Sequence, residues 1–161
     1  MGKPEAVFDK KLSKLLKSPN ISRSKALTII LAELKKIGNF LSCVVTDNNG
    51  LIMAEDLHPQ DNRDNLSASS AIVKDSTEKI SDYLGIGSVG LSYFVTKTNM
   101  IWMKSIYLPD CDDTLILFAV KENNLLIKMP KAILKLLGKE KVFIPLLLEI
   151  ASKYIKQFCD E

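Results

Sequence analysis

The chain has one histidine and three cysteines, and its apolar stretches are short; each shortage closes off a class of protein. Apolar stretches such as Thr114–Val120 and Val142–Leu148 fall far below the roughly 20 residues that span a bilayer, so no transmembrane segment is expected. Cys43, Cys111 and Cys159 are odd in number and far apart, which argues against a disulfide framework and for a reducing, cytoplasmic setting. The first residues, Met1 to Ala6, carry no secretory pattern, and neither Gly2 nor Cys159 sits in a lipidation motif. His58 has only Glu55, Asp56 and Asp61 nearby in sequence, which reads as a solvated loop and not as a metal site.

Catalytic signatures are missing too. Gly85-Ile86-Gly87-Ser88-Val89-Gly90 has the wrong spacing for a dinucleotide fingerprint and leads into a strand, so its glycines read as a helix stop and a strand start. Asp110, Asp112 and Asp113 lack the ligand series and closing glutamate of a calcium loop. No nucleophile elbow occurs, and Cys43 falls on the apolar alternation of a strand, where a buried, inert thiol is the default. The lone Trp102 fits a core or an interface better than a base-stacking platform. No catalytic residue, metal ligand or cofactor is expected, and the balance moves towards a binding protein.

What is present is a segregated charge and a strong helix–strand pattern. Residues 1–36 carry a net +6, residues 37–120 a net −6 and residues 121–161 a net +3. Basic ends around an acidic middle favour ends folding back, or an acidic face for a basic partner. They give little support to nucleic-acid binding, whose footprint is a continuous basic patch.

The stretch Leu41–Glu55 organises the rest. Two runs rich in β-branched residues flank Asp47-Asn48-Asn49-Gly50, which predicts a hairpin with Asn49 and Gly50 at the two positive-φ positions of a type I′ turn. Before it, Phe8, Leu12, Leu15 and Leu16 predict an amphipathic helix over 4–17, basic on its other faces. It reads as docked by its leucines, with peripheral membrane contact the weaker reading. Leu27, Ile30, Leu31, Leu34 and Ile37 then form one helical stripe, capped by Ser22 or Ser24 and ended at Gly38.

After a polar loop, Asp64 or Asn65 can cap a helix running to about Leu84. Its apolar stripe of Leu66, Val73, Thr77, Ile80 and Leu84 is widened by Ile72, Ser76 and Tyr83, and small residues 67–71 crowd its first turns. Such width implies contact with a second body as well as a sheet. The second body is either a partner or this chain's own terminal helices. Three strands follow, Val89–Lys97, Met100–Leu108 and Thr114–Val120. Helices are then expected through Leu137, ended by Gly138, and from Phe143 to Phe158, with Pro130 and Pro145 in their first turns. The order predicts an α+β fold, one five-stranded, mainly antiparallel sheet with helices on its faces, and extra helices at both ends.

These residues resemble a known family. The helix at Leu27–Ile37, then Val44 to Ala54 reading Val-Val-Thr-Asp-Asn-Asn-Gly-Leu-Ile-Met-Ala, then a Ser/Ala-rich helix start at Asn65–Ala71, is similar to the Roadblock family, named after a dynein light chain. Asn123-Asn124-Leu125-Leu126 looks like that family's start to its last core helix, and the likeness runs from Ser24 to Leu137. The resemblance implies a Roadblock-like domain over 22–138, a profilin-like layer fold, between an N-terminal extension at 1–21 and a C-terminal helix at 139–161. It also implies a non-enzymatic module that forms a homodimer, or a heterodimer with a paralogue, and serves as a scaffold for small Ras-like GTPases. On this chain the dimer contacts would be Leu66, Ser69, Val73, Thr77 and Ile80 on the helix and Leu91, Tyr93 and Val95 on the following strand. Lys74, Glu78 and Asp82 would flank them as GTPase contacts. Sensor domains of the GAF and PAS type share the apolar-Asp-x-x-Gly hairpin. The alternative is therefore a small-molecule sensor whose sheet and following helix enclose a ligand.

Overall fold

The computed structural model describes residues 4–18, 20–110, 113–123 and 131–160, the last with the backbone alone over 131–143. In chain order the elements are α1 (Pro4–Leu15), α2 (Arg23–Gly38), β1 (Ser42–Thr46), β2 (Ile52–Asp56), α3 (Arg63–Leu84), β3 (Leu91–Val95), β4 (Asn99–Leu108), β5 (Asp113–Glu122) and α4 (Lys131–Cys159). The strands form one antiparallel sheet in the order β2-β1-β5-β4-β3, leaving β2 and β3 as its edges. Cys111, Asp112, the stretch Asn124–Leu126 and Pro130, all used in the sequence argument, lie outside the described residues.

Strand alternation divides the interior into two layers. Cys43, Val45, Leu117, Ala119 and Trp102 point to one face, where α1, α2 and α4 cover them with Phe8, Leu12, Leu27, Ile30, Leu31, Leu34, Leu147, Leu148 and Ile155. Val44, Ile116, Phe118, Val120 and Met103 point to the other, where Leu66 and Val73 of α3 lie on them. The expected stripe on α2 is therefore its buried face, and each such side chain gains roughly 1.5–3 kcal/mol from leaving water, before entropy is counted.

Local chemistry departs from expectation in four places. At the hairpin only Gly50 has positive φ (84°), so the turn is not type I′. Asp47 organises it instead: its Oδ1 accepts from the backbone N–H of Asn49 at 2.9 Å and of Leu51 at 2.8 Å, and its carbonyl accepts from Gly50 at 3.1 Å. One glycine in the left-handed region then suffices to return the chain. At the end of α2, Asn39 is the left-handed cap (φ 52°) and Gly38 is the last helical residue. A β-carbon at 38 would lie 2.1 Å from the Phe40 ring, so glycine there makes room for that buried ring.

The cap of α3 is Asn62, just before both expected residues, and its side chain accepts from Asn65 N–H at 3.0 Å. Ser22 caps α2. Lastly, α4 runs unbroken from Lys131 to Cys159 through both Gly138 and Pro145, where two helices were expected. Glycine costs a helix about 1 kcal/mol and an interior proline about 3. Burial of Ile144, Leu147, Leu148, Ala151 and Ile155 on the sheet and α2 outweighs both.

Candidate functional site

The face of the sheet that carries α3 is only partly covered. Placing α3 on a helical wheel, its most buried positions are Ser70 and Ser81, with Leu66, Val73 and Thr77 half-buried beside them. The wide apolar arc divides at this point. One half meets the sheet; the other half, Ile72, Ile80, Tyr83 and Leu84, is 56–91% exposed. The terminal helices α1 and α4 lie on the opposite face of the sheet, so they do not fill that half.

The exposure continues into β3. Of thirteen large exposed hydrophobic side chains among the described residues, eight fall between Ile72 and Val95, including Ile86 in the connection and Phe94 on the strand. Among the described residues the outer edge of β3 pairs with no other strand, which leaves its outward backbone N–H and C=O groups to a further strand. Gly85 ends α3 in the left-handed region (φ 63°), and Ile86 N–H bonds back to the Ser81 carbonyl at 3.2 Å, which closes the helix end before the chain turns into β3.

The small residues at the start of α3 serve this chain's own hairpin. Ser67 Oγ donates to the Gly50 carbonyl, and a β-carbon on Gly50 would lie 3.2 Å from that of Ala71. Ser70 Oγ lies 3.1 Å from Thr46 Oγ1, tying the buried helix face to β1. Ser69 remains exposed.

The residues selected from sequence are placed as follows. Leu66 and Val73 pack partly on the sheet core, Thr77 donates to the Lys74 carbonyl at 2.8 Å, and Ser69 and Ile80 are exposed. On β3 the register Tyr93↔Trp102 puts Leu91, Tyr93 and Val95 on the side of α4 and leaves Ser92 and Phe94 on the side of α3. The Tyr93 ring packs on Trp102 with centroids 4.1 Å apart, and burial pushes its hydroxyl pKa up. The strand side chain that shares a face with α3 is thus Phe94, which the sequence argument did not select. Alternation alone marks two faces without saying which one a given layer covers.

Lys74 and Glu78 form an i,i+4 ion pair at 2.9 Å and, with Thr77, line one wall of a cleft of about 450 Å³. Val89, Gly90, Tyr107 and Thr114 line it as well. Asp82 is exposed and does not line it. No group of His, Cys, Asp or Glu that could hold a metal ion occurs among the described residues, and no described helix is long and apolar enough to cross a membrane.

The whole is an α+β fold, one five-stranded antiparallel sheet with α3 on one face and α1, α2 and α4 on the other. Solved structures of the same fold are the gliding protein MglB of Thermus thermophilus and MglB of Myxococcus xanthus. The Thermus protein aligns with a TM-score of 0.64 at 14% identity over 89% of this chain and 98% of its own. The Myxococcus protein aligns with a TM-score of 0.61 at 13% identity over 81% of this chain and 85% of its own. An MglB in a tetrameric arrangement gives 0.64 at 13% over 89% and 97%. No protein-family model matches the sequence, and no curated protein does. At these identities the shared property is the fold.

Proposed function

We propose that this protein is a non-enzymatic, cytoplasmic scaffold that dimerises through the outer flank of α3 and the free edge of β3 and binds a small Ras-like GTPase. The observation that carries the reading is the concentration of exposed apolar side chains from Ile72 to Val95, along α3 and β3 and next to an unpaired strand edge. Ile72, Ile80, Tyr83, Leu84 and Phe94 expose apolar surface on the α3 side of the sheet, which is disfavoured on a monomer in water, and an unpaired edge invites pairing with a second strand. A two-fold axis beside β3 would cover both at once, extending the sheet across two protomers, either two copies or a copy and a paralogue. The Roadblock fold and the sequence resemblance support the GTPase as the class of partner.

Ile80, Ile72, Tyr83 and Phe94 would form the apolar part of the interface, with Leu66, Ser69, Val73 and Thr77 along the helix and Leu91, Tyr93 and Val95 along the strand. Lys74, Glu78 and Asp82 would meet the GTPase. The Roadblock-like unit at 22–138 would carry the interface, with the flanking segments 1–21 and 139–161 on the other side of the sheet. A ligand sensor would need space between the sheet and α3. Val44, Met103, Ile116 and Phe118 fill the centre of that layer, each at most 2% exposed, and the space beside it is the open cleft at Lys74, Thr77 and Glu78.

The test is a pull-down with the purified chain against Ras-like GTPases of the same cell, loaded separately with GDP and with a GTP analogue. Retention of a GTPase in one nucleotide state supports the proposal. Retention of none in either state overturns the GTPase part, and a concentration-independent monomer mass by light scattering overturns the dimer.

A further inference from the structure

The helical layer on the other side of the sheet encloses a second concavity. The end of α1, the turn that follows it, the start of α2 and the last turns of α4 meet around a cleft of about 700 Å³. Leu16, Ile21, Tyr154 and Phe158 give it a small apolar floor within a mostly polar lining, which includes Lys17, Arg23 and Lys153 and no acidic residue.

Two of the three cations are held in place. Arg23 Nε donates to the Phe158 carbonyl at 2.9 Å, and Lys153 Nζ lies 5.6 Å from the centre of the Tyr154 ring. The floor is fixed as well, since Tyr154 is 8% exposed and its hydroxyl donates to Asp9 Oδ1 at 3.0 Å. Neighbouring Lys11 and Lys156 are paired with Glu33 and Asp160, whereas Lys17, Arg23 and Lys153 pair with no acid among the described residues.

Helix dipoles account for part of this charge. Lys17 lies just past the C-terminal end of α1, where cations are favoured, whereas Lys153 lies more than a turn before the end of α4. Arg23 lies at the first position of α2, where a cation is disfavoured, and that first turn contains no acid to offset it. Its guanidinium lies instead at the C-terminal end of α4, on the Phe158 carbonyl, where a cation is favoured, and there it completes a cationic rim.

We propose that this cleft binds a short acidic segment of a partner protein, its carboxylates on Lys17, Arg23 and Lys153 and an apolar side chain on the floor. Arginine and lysine bind carboxylates by charge-assisted hydrogen bonds, arginine with two parallel donors. The volume lies in the range of ordinary ligand sites and suits a few residues of peptide. A flat anionic bilayer would touch the rim and leave the floor empty, and a free inorganic anion would make no use of the floor.

The experiment is fluorescence polarisation of a labelled, glutamate-rich peptide carrying one Leu-Phe pair, titrated with the full chain. The expected result is saturable binding that falls with added salt and weakens about tenfold in Lys17→Glu and in Lys153→Glu. The same peptide with serine in place of leucine and phenylalanine should bind at least about tenfold more weakly. All the substituted side chains are exposed, and unchanged thermal melts would show that the variants fold. No saturation at millimolar protein, equal binding of the serine peptide, or equal binding by both variants overturns the proposal. So does capture of the chain by phosphatidylserine vesicles with no binding of the peptide.

Discussion

Gly50 and Ser67 approach each other so closely that a β-carbon on the glycine would lie 2.9 Å from the serine's carbonyl oxygen, while Ser67 Oγ donates to the Gly50 carbonyl. The tip of the first hairpin is thereby fastened to the second turn of α3. That contact sets how α3 lies across the sheet, and so which flank of the helix turns outward with Ile72 and Ile80.

Gly50→Ala should therefore destabilise the protein for two separate reasons. The left-handed backbone at φ 84° costs a non-glycine residue roughly 1–2 kcal/mol, and the contact with Ser67 adds to it. Urea unfolding should give a loss of about 2–3 kcal/mol in all. By contrast Gly87→Ala meets nothing within 4 Å and should show only the backbone part. Equal losses at the two positions would show that the hairpin tip is not seated on α3.

Much of this arrangement was legible from local pattern. The α2 stripe, the hairpin, the helix after it and the three closing strands all appear where periodicity put them, because each is a single element whose apolar face is written in its own residues. What pattern left open depends on contacts distant in sequence. Whether Phe94 or Tyr93 shares a face with α3 is decided by the pairing of Tyr93 with Trp102. Whether the outer arc of α3 is covered is decided by α4 packing on the other side of the sheet. The continuity of α4 overrides the stop read at Gly138 and the helix start read at Pro145, because burial downstream of Pro145 is worth more than the local penalties.

The Cys43 thiol makes a pH prediction. It is fully buried in β1, and desolvation, with Asp56 adding to it, pushes its pKa well above the ordinary 9.0. The folded thiol stays neutral where the unfolded one ionises, so its contribution is fully present below about pH 9 and is lost as pH rises further. Relative to Cys43→Ala, the wild-type protein should lose about 1.4 kcal/mol of stability between pH 8 and pH 10. Urea melts of both proteins across that range measure the difference, and parallel curves would show that Cys43 is not protected from ionisation.

Tyr154 ties the two terminal helices together. Its hydroxyl donates to Asp9 Oδ1 at 3.0 Å, joining the last turns of α4 to the middle of α1. Tyr154→Phe keeps the ring in the core and removes that bond, so a loss of about 1 kcal/mol is expected in urea unfolding. Hydrogen exchange should report the loss first in α1, which is attached mainly through Phe8, Leu12 and Leu16. Uniform loss of protection over the whole chain would mean that α1 does not open separately.

The interface is tested most cleanly at Ile80. Val73 also lies on α3, but it packs partly on Phe118 and its neighbours, so a charge there would damage the fold and any assembly together. Ile80 is 56% exposed in the single chain, and Ile80→Glu should leave the thermal melt of a monomer almost unchanged. In a symmetric dimer the same change enters the interface twice, removing an apolar anchor from each protomer and setting carboxylates in a desolvated contact. Sedimentation equilibrium should then show a dimer for the wild-type chain and a dissociation constant raised at least about a hundredfold for Ile80→Glu. Leu51→Glu is the control: it is 70% exposed on the hairpin, distant from the free edge of β3, and should assemble as the wild type does. If both variants dissociate alike, the assembly surface is not the α3 flank; if neither does, the exposed arc from Ile72 to Leu84 is not the contact that holds the protomers together.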